Sequence, residues 1–577
     1  MSEGPLGSRV EPTPLYRKIF TGFRIALDIK KLLLAAAGIF LTFAGWWVLS
    51  LAFYHNAEMP LATNYDKATW TRFMSERRSW NLLHELAGPP DSAVLVDAGD
   101  VATDIDQYKE LDDVVKGVAL GRRKLEVNVA EGKLVDGAVS YPFKLTEKAG
   151  EDEAKKLPSY ITYADLRIVD RDKKIVAIGT VPVEIENFAN LAGERDRVRG
   201  PDSLSPTARL LYDKELAVPR IKAAGRYRVS PWSENRGENP YLLVSGALKG
   251  ERPPFERGGF FAWFLHDELP VLVEPLRKFI SPVLHLFSSA AGTFRITTYL
   301  ILILIWNLVV WGYFGGAITR LAAVQIARNE KAPLSETIGF VNDRFRHFVL
   351  APAMPLVFLG ILMLALALGG LIAGWTFFLG DILAGLLWPL VIVTGLIMAV
   401  LLVGLLGWPL MYPTISVEGS DSFDALSRTY SYFYQKPWRY LGYAATALVY
   451  GAALTFFVGF MGSLIVHAGQ LGYQGAYGLG STTAASDRTQ IFLFQHAPTS
   501  FGWRDLCLHN SPWAEPVVGA DGIEHWQLKP DYVVANPGIT GTFGSWLVGI
   551  WLGLLFLLVL GFSYSYFWTA CTILYFL

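Results

Sequence analysis

Residues that could bind a metal ion are concentrated towards the C-terminal end of the chain. Four of the nine histidines, His467, His496, His509 and His525, fall in or beside residues 467–544. Cys507, His509 and His496 together offer the sulfur and nitrogen ligands that Zn²⁺ prefers. The Cys-x-His spacing is not an established ligand pattern, however, and histidines in loops usually form hydrogen bonds or face solvent. The sequence therefore predicts no metal site, and zinc at these three residues is the alternative hypothesis.

Two adjacent carboxylates, Asp267 and Glu268, could perform acid–base chemistry on a lipid head group at the membrane surface. The simpler interpretation is a helix end that faces water. The sequence has no glycine-rich phosphate loop ending in Lys-Ser/Thr, no His-Glu-x-x-His and no Gly-x-Ser-x-Gly. We therefore predict no catalytic residues and no cofactor-binding residues, and the sequence disfavours an enzyme.

Ionisable side chains inside apolar helices usually mark ion paths, proton relays or substrate sites, because a charge is costly in hydrocarbon. The apolar runs of this chain carry none away from their ends, and Asn307 is their most conspicuous polar residue. This pattern argues against a proton-coupled pump or a charged-ion channel. A path lined by hydroxyl groups is the exception, but such groups usually bond to their own helix. The residues that could line one are Thr394, Thr455, Ser463, Ser563 and Thr569.

Six long apolar runs must position these residues. A helix needs ~20 residues to cross ~30 Å of hydrocarbon. The runs of this length cover residues 32–53, 296–316, 349–375, 383–410, 441–466 and 545–574. Because 52% of the 577 residues are hydrophobic and 18% are charged, apolar spans coexist with large wet segments. The sequence predicts a membrane all-α bundle of six transmembrane helices, with an extracytoplasmic α+β domain inserted between helices 1 and 2.

The charge of the short loops predicts the orientation of the bundle. The leader at residues 1–31 is basic, and so are the intervals at residues 317–348 and 412–440. The short connection before residue 383 contains no Lys or Arg. Because basic loops stay in the cytoplasm, we expect both termini inside, with residues 54–259 and 467–544 outside. The expected location is a bacterial inner membrane.

The segment between the first two spans is predicted in two parts. Residues 54–259 are interpreted as an α+β domain followed by a long connection, since β-type patterns predict strands at residues 161–169 and 175–185. Residues 260–295 are apolar, but charged residues and three prolines interrupt them. Such a segment does not comfortably cross lipid, so we predict short helices that lie along the outer interface.

Two further patterns concern helix packing. The leader and the intervals at residues 317–348 and 412–440 each contain an amphipathic helix. The likeness of the two intervals indicates either a duplicated unit or the common demand of a membrane surface. Small residues at four-residue spacing permit close helix contact, and favour a compact bundle or a face offered to a partner. Three such pairs are Gly312 and Gly316, Gly370 and Gly374, and Gly549 and Gly553.

One stretch resembles a known group of sequences. The segment from Trp408 to Gly419, followed by Asp424-Ala425-Leu426-Ser427-Arg428, is similar to the apolar-span, Glu-Gly, Ala-Leu-x-Arg/Ser pattern of uncharacterised multi-pass bacterial inner-membrane proteins. Gly316-Ala317-Ile318-Thr319-Arg320 is similar to their companion segment. The resemblance covers about residues 296–466. It implies the same class of membrane protein and no particular activity.

These observations favour a non-enzymatic protein, a scaffold or subunit of a cell-envelope membrane complex that presents an extracytoplasmic domain. The expected partners are the lipid bilayer and other membrane or envelope proteins, with a homo-oligomer as a further option. A formal net charge of -1 gives no argument for nucleic acid. Two alternatives stay open: a permease for a neutral or lipidic substrate, and an interfacial lipid-modifying enzyme.

Overall fold

The computed structural model describes residues 15–54, 71, 125–127, 133–135, 138–140, 143–145, 159–169, 175–186, 198–199, 231–234, 236–245, 261, 263–287, 294–375, 379–480, 491–509, 511, 513–518, 524–528 and 538–577. The chain divides into two compact units. The membrane unit comprises Met1–Asn56, Pro90–Ser92 and Tyr227–Leu577. The inserted unit comprises Ala57–Pro89 and Ala93–Arg226.

Six helices in the described part of the chain are long and apolar enough to cross a bilayer, which is the mark of a multi-pass membrane protein. They are Ile29–Leu49, Phe294–Arg328, Leu334–Trp375, Gly380–Glu418, Pro437–Tyr473 and Ile539–Phe576. Each contains most or all of one apolar run recognised in the sequence. The prediction of an all-α membrane bundle with six spanning helices is therefore confirmed by length and composition.

The helices of the membrane unit are numbered in chain order. They are α1 (Gly22–Ala26), α2 (Ile29–Tyr54), α3 (Pro240–Ser245), α4 (Leu269–Leu272), α5 (Glu274–Leu286), α6 (Phe294–Arg328), α7 (Leu334–Trp375), α8 (Gly380–Gly404), α9 (Met411–Glu418), α10 (Ser422–Gln435), α11 (Pro437–Gly480), α12 (Trp503–Leu508) and α13 (Gly538–Phe576). Short helical turns of other types lie at Leu15–Thr21, Pro231–Ser233, Phe264–Glu268, Leu405–Leu410 and Ser500–Gly502.

In the inserted unit the structure describes the strands β1 (Leu125–Val127), β2 (Lys133–Val135), β3 (Ala138–Ser140), β4 (Phe143–Leu145), β5 (Ser159–Val169), β6 (Ile175–Glu186) and β7 (Val198–Arg199). The longest antiparallel pair is β5 with β6, from Ser159 opposite Glu186 to Val169 opposite Ile175. β7 adds to β6, β1 pairs with β4, and β2 pairs with β3. The predicted α+β domain is not confirmed, because its helical part lies outside the described residues. In the membrane unit, β8 (Ala514–Val518) and β9 (Glu524–Leu528) form a separate antiparallel pair.

Helix α6 is the centre of the membrane unit, where it packs on α2, α5, α7, α9 and α13. The glycines of α6 allow these neighbouring helices to approach it closely. A Cβ atom on Gly315 would lie 2.9 Å from the indole of Trp568, and one on Gly312 would lie 3.0 Å from the side chain of Val349. The Gly312 and Gly316 pair therefore provides the close helix contact that its spacing predicts, between α6 and α7.

Helices α7 and α8 form a long hairpin, the α7–α8 hairpin, that packs on the remainder of the unit near one end. Beyond Val357 most of its large apolar side chains are exposed, for example Leu364 at 61%, Leu386 at 75% and Leu396 at 64%. A Cβ atom added to Gly370 or Gly374 would meet no atom of the described residues within 4 Å. This second glycine pair therefore makes no helix contact among the described residues.

The cytoplasmic intervals predicted from the sequence differ from one another in the structure. The first amphipathic stretch is continuous with the following span as α7, whereas α10 is a separate helix that ends before Lys436. The cap of α10 is Asp421, whose carboxylate accepts a hydrogen bond of 2.8 Å from the backbone N–H of Asp424. Just before it, α9 ends at Gly419 with φ of +70°, a left-handed conformation that glycine adopts without strain.

The segment that precedes the second span is folded into the membrane unit. Helices α3 and α4 pack on α11, and α5 packs on α6 and α13. The predicted interfacial position of residues 260–295 relative to lipid stays a prediction. Within the unit, however, α5 buries Glu274, Pro275, Lys278 and Phe279, and so carries charged side chains into the interior.

Candidate functional site

Four charged side chains, Glu234, Arg236, Glu274 and Lys278, meet inside the membrane unit and are termed the ionic cluster. No more than 9% of any of these side chains is exposed. The Arg236 guanidinium donates to both carboxylate oxygens of Glu274, each at 2.9 Å, and also bonds to Glu234. The Lys278 ammonium lies 3.2 Å from Glu234 Oε2 and also bonds to Glu274. Because two anions face two cations, the buried charge is compensated.

Two distant parts of the chain supply this cluster, and a third forms a hydrogen bond to it. Glu274 and Lys278 are four residues apart on α5 and therefore share one face of the helix. The turn at Pro231–Ser233 delivers Glu234 and Arg236, and Arg236 Nη1 donates to the Pro231 carbonyl at 2.8 Å. From α13, the Tyr564 hydroxyl donates to Glu274 Oε1 at 3.0 Å. The cluster thus ties the turn before α3 to α5 and α13.

The charged forms of the cluster are mutually stabilised. Burial by itself would raise the pKa of Glu274, but the adjacent cations of Arg236 and Lys278 outweigh it and hold that pKa well below its usual value. Burial would likewise lower the pKa of Arg236, and the carboxylates of Glu234 and Glu274 raise it instead. Both groups are therefore ionised at neutral pH, despite their position inside the unit.

Glu274 should make the stability of the membrane unit sensitive to acid. The pKa of Glu274 is depressed in the folded state, so its stabilising contribution is present above the usual pKa of 4.5 and is lost as pH falls below it. We expect the melting temperature to fall more steeply below about pH 4.5 in the unaltered protein than in Glu274→Gln. Thermal unfolding in detergent between pH 3 and 6, followed by tryptophan fluorescence, measures the melting temperatures of the unaltered protein and of Glu274→Gln. Parallel pH profiles would contradict the assignment.

Asn307, the polar residue singled out in the apolar runs, joins the ionic cluster to α2. Its side-chain amide donates to the backbone carbonyl of Lys278 at 3.0 Å and accepts from Trp46 Nε1 at 3.0 Å. The Lys278 carbonyl needs this donor, since the residue four positions later is Pro282, which has no N–H to continue the helical hydrogen bonds. Asn307 therefore acts as a partner for a backbone group that a proline leaves unpaired within α5.

An aromatic layer lies beside the cluster. The ring of Trp568 stacks on Tyr412 with centroids 4.8 Å apart, and Phe279 of α5 lies 4.4 Å from the ring of Trp408. A cavity of about 10 Å³ lies between the ionic cluster and this layer, and its lining includes Lys278, Asn307, Phe279, Trp408 and Tyr412. Space of this size is about that of one water molecule. The interior here is closely packed around the charges.

A much larger pocket, termed the lateral groove, opens on the side of the unit between α2 and α13. Its volume is about 1010 Å³. Most of the wall is apolar, with Leu33, Ala37 and Phe40 on α2 and Ile550, Leu554 and Leu557 among the residues of α13. One end is polar, because His496, Thr499 and Arg504 line it together with the indoles of Trp232 and Trp546. Burial and the nearby Arg504 cation lower the pKa of His496.

The residues of the zinc hypothesis are in different surroundings. Cys507 is buried, and burial and Asp505 raise the pKa of its thiol to about 12, which disfavours the thiolate that binds zinc. His509 lies against Trp526, and His496 lies against Trp546 in the lateral groove. Among the described residues no group of three or more His, Cys, Asp or Glu side chains could hold a metal ion.

Three of the hydroxyl residues considered from the sequence, Thr394, Ser463 and Ser563, form hydrogen bonds within the unit. Glu268 is buried, with 7% of the residue exposed, and the side chain of Asp267 lies outside the described residues. Thr394 and Ser563 donate to carbonyls of their own helices, at 2.8 and 2.7 Å, as hydroxyl groups in helices usually do. Ser463 accepts from the Asn239 amide at 3.2 Å. These residues are spread over several helices, and the hydroxyl groups of Thr455 and Thr569 are buried without a hydrogen-bond partner among the described residues.

The sequence did not predict the ionic cluster, because a charged residue is unusual in a sequence only when it stands inside an apolar run. Its charged residues lie between the first two spans, in a stretch expected outside or at the interface. One signal was present: Glu274 and Lys278 at i and i+4 within a proline-rich apolar segment. Nothing in the local pattern links them to Arg236 or Tyr564.

Comparison of the chain with protein-family models, with curated proteins and with solved structures finds no match.

Proposed function

We propose that this chain is a non-enzymatic scaffold, a subunit of a cell-envelope membrane complex in a bacterial inner membrane. Both termini face the cytoplasm, and residues 54–259 and 467–544 face outwards. The α7–α8 hairpin is the surface that receives a transmembrane helix of a partner protein. The exposed apolar length of this hairpin is the observation that carries the proposal.

The hairpin is long enough for this role. Helix α8 has 25 residues, which corresponds to about 37 Å and exceeds the ~30 Å of the hydrocarbon layer. Its main neighbours are α7, α10 and the turn at Leu405–Leu410, so much of its length faces away from the bundle. Lipid can cover an apolar helix, but open small residues such as Gly370 and Gly374 are typical of surfaces where two helices meet.

The ionic cluster supports the scaffold role because it fixes the chain that follows the inserted unit to α5. The chain returns to the membrane unit at Tyr227, and shortly afterwards Glu234 pairs with Lys278 of α5 and Arg236 pairs with Glu274 of α5. A paired, buried set of charges resists displacement, since separating it would leave charges unpaired in the interior. The turn at Pro231–Ser233, which follows the inserted unit in the chain, is thus fixed to α5, and a fixed attachment point suits a protein that presents an outer domain.

The two other functions receive less support. A permease needs a space for its substrate, whereas the cavity beside the ionic cluster measures about 10 Å³. The lateral groove lies on the side of the unit, so a lipidic substrate would be favoured over a neutral soluble one. An interfacial enzyme would need its acid–base residues exposed and close together. Glu268 is buried instead, and His496 and His509 pack on different tryptophans.

Cysteine crosslinking tests the hairpin as a partner surface. The native cysteines, Cys507 and Cys571, are both buried, so an introduced Gly370→Cys would be the accessible thiol. We expect a bifunctional thiol–amine reagent, applied to native membranes, to produce one discrete product of higher mass through Gly370→Cys. The matched control is Val449→Cys, a position 60% exposed on α11, which should give no discrete product.

The mass of the product identifies the class of partner. A product of twice 63.9 kDa indicates a second copy of the chain, and any other mass indicates a different subunit. In mild detergent the partner should remain bound to the unaltered chain and dissociate from Gly370→Leu/Gly374→Leu. A chain that is always recovered alone, with Gly370→Cys no more reactive towards neighbours than Val449→Cys, would contradict the scaffold function.

A further inference from the structure

The lateral groove is bounded near each end by a close contact with α13. Near one end, α2 and α13 are in contact, because a Cβ atom on Gly561 would lie 3.0 Å from the Leu32 carbonyl oxygen. Near the other, Gly549 allows His496 to approach α13, where an added Cβ atom would lie 2.9 Å from the His496 side chain. A volume of about 1010 Å³ is at the upper end of the range of ligand pockets. The groove is therefore large enough to bind one large ligand.

The dimensions and lining of the groove match an acyl chain. From Trp546 to Leu558, α13 contributes about 18 Å of wall, which is somewhat more than half of the ~30 Å hydrocarbon thickness. The wall along this length is apolar: leucine, isoleucine, alanine and phenylalanine side chains from α13 and α2 form most of it, together with Trp551 and two glycines of α13. The groove is thus about as deep as one leaflet of a bilayer.

The polar end of the groove matches a phosphate group. Arg504 carries a permanent positive charge, and a guanidinium binds phosphate oxygens in a bidentate manner. The hydroxyl of Thr499 and the imidazole of His496 lie in the same wall, which contains no Asp or Glu. Arg504 Nε also donates to the Ala497 carbonyl at 3.2 Å, which orients the side chain. Trp232 and Trp546 line this end, and indoles favour the level of lipid head groups.

We propose that the lateral groove binds a phosphate-bearing membrane lipid, with its acyl chains along α2 and α13 and its phosphate at Arg504, Thr499 and His496. The charge at one end and the leaflet-deep apolar wall select this occupant over a second copy of the chain. The inference goes beyond the scaffold function and does not depend on the α7–α8 hairpin.

Filling the groove tests the proposal. Ala37 is exposed on α2 and lines the groove, so Ala37→Trp should occupy the space of the lipid without disturbing buried residues. Ala365→Trp makes the same change on an exposed face of α7 and is the matched control. After extensive washing in detergent, native mass spectrometry and phosphorus analysis should find one phospholipid per chain in the unaltered protein and in Ala365→Trp, and none in Ala37→Trp.

Removing the charge tests the head-group contact. Arg504→Gln should weaken retention of the phospholipid roughly tenfold, in line with the loss of a charge-assisted hydrogen bond. Exchange against phosphatidylglycerol and phosphatidylcholine distinguishes a site for net anionic lipids from one for any phospholipid. Inorganic phosphate added in excess should not displace the lipid. Displacement by phosphate alone would overturn the role of the acyl chain.

Photocrosslinking of the unaltered chain tests the same site without relying on a variant that could fail to fold. A phospholipid with a photoreactive acyl chain should crosslink mainly to residues 33–40 and 546–558, and much less to the exposed helices α7 and α8. Crosslinks spread evenly over all exposed apolar helices, or equal phospholipid retention in Ala37→Trp and Ala365→Trp, would overturn the proposal.

Discussion

Arg236→Met should lower the free energy of unfolding of the membrane unit by about 3–5 kcal/mol, the usual cost of removing one partner of a buried ion pair. In the unaltered chain the Arg236 guanidinium compensates both Glu234 and Glu274, with 4% of its own side chain exposed. Without it, two carboxylates share the single cation of Lys278 in the interior. Thermal unfolding in detergent, monitored by tryptophan fluorescence, measures the loss.

The matched control for this prediction is an exposed arginine with a similar number of partners. Arg428 pairs with Glu418 and Asp424, but 43% of its side chain is exposed. Water and salt screen such a pair, so Arg428→Met should leave the melting temperature almost unchanged. Adding Glu234→Gln to Arg236→Met restores equal numbers of charges, and should recover part of the loss. Equal effects of Arg428→Met and Arg236→Met would contradict the buried position of the cluster.

The outcome also bears on function. Ionised groups in the interior of a membrane protein often belong to a proton or ion path. In this chain the four charges pair with one another and sum to zero, and both carboxylates bond to cations. These contacts favour an anchoring role. Tolerance of Arg236→Met would instead indicate a hydrated cluster, and would make a proton-coupled permease the better proposal.

Trp568→Ala should also lower the free energy of unfolding by about 3–5 kcal/mol, because it leaves a large cavity in a closely packed layer. Trp568 is fully buried and stacks on Tyr412 at 4.8 Å, with Trp408 at 5.4 Å. Its indole lies against Gly315 of α6, where no larger side chain would fit. Equilibrium unfolding by denaturant in mixed micelles measures the difference.

Two substitutions delimit this result. Trp438, which is 84% exposed, provides the control, and Trp438→Ala should have little effect on unfolding. Trp568→Phe retains an aromatic ring in the layer and should lose less stability than Trp568→Ala. If Trp568→Ala were no worse than Trp438→Ala, the layer between α6, α9 and α13 would not be a packed core.

The sequence by itself determined the class of this protein and the position of its spans. An α-helix pairs its own backbone groups and needs about 20 apolar residues to cross hydrocarbon, so a run such as residues 349–375 is recognised by its length and composition. The same local information predicted the close approach at Gly312, where spacing along one helix is sufficient. The sequence also marked Asn307 as an unusual polar residue, but it did not predict the hydrogen bonds of Asn307 to Lys278 and Trp46.

Only the tertiary structure decided where the charges lie and which apolar surfaces are covered. Tyr564 and Glu274 are 290 positions apart, and no periodic pattern in either segment encodes their contact. The runs that became the exposed α7–α8 hairpin and the buried α6 both look like lipid-compatible helices, since apolar residues suit lipid and protein neighbours alike. Local propensity is read from neighbours in the chain, whereas pairing and burial depend on residues that folding brings together.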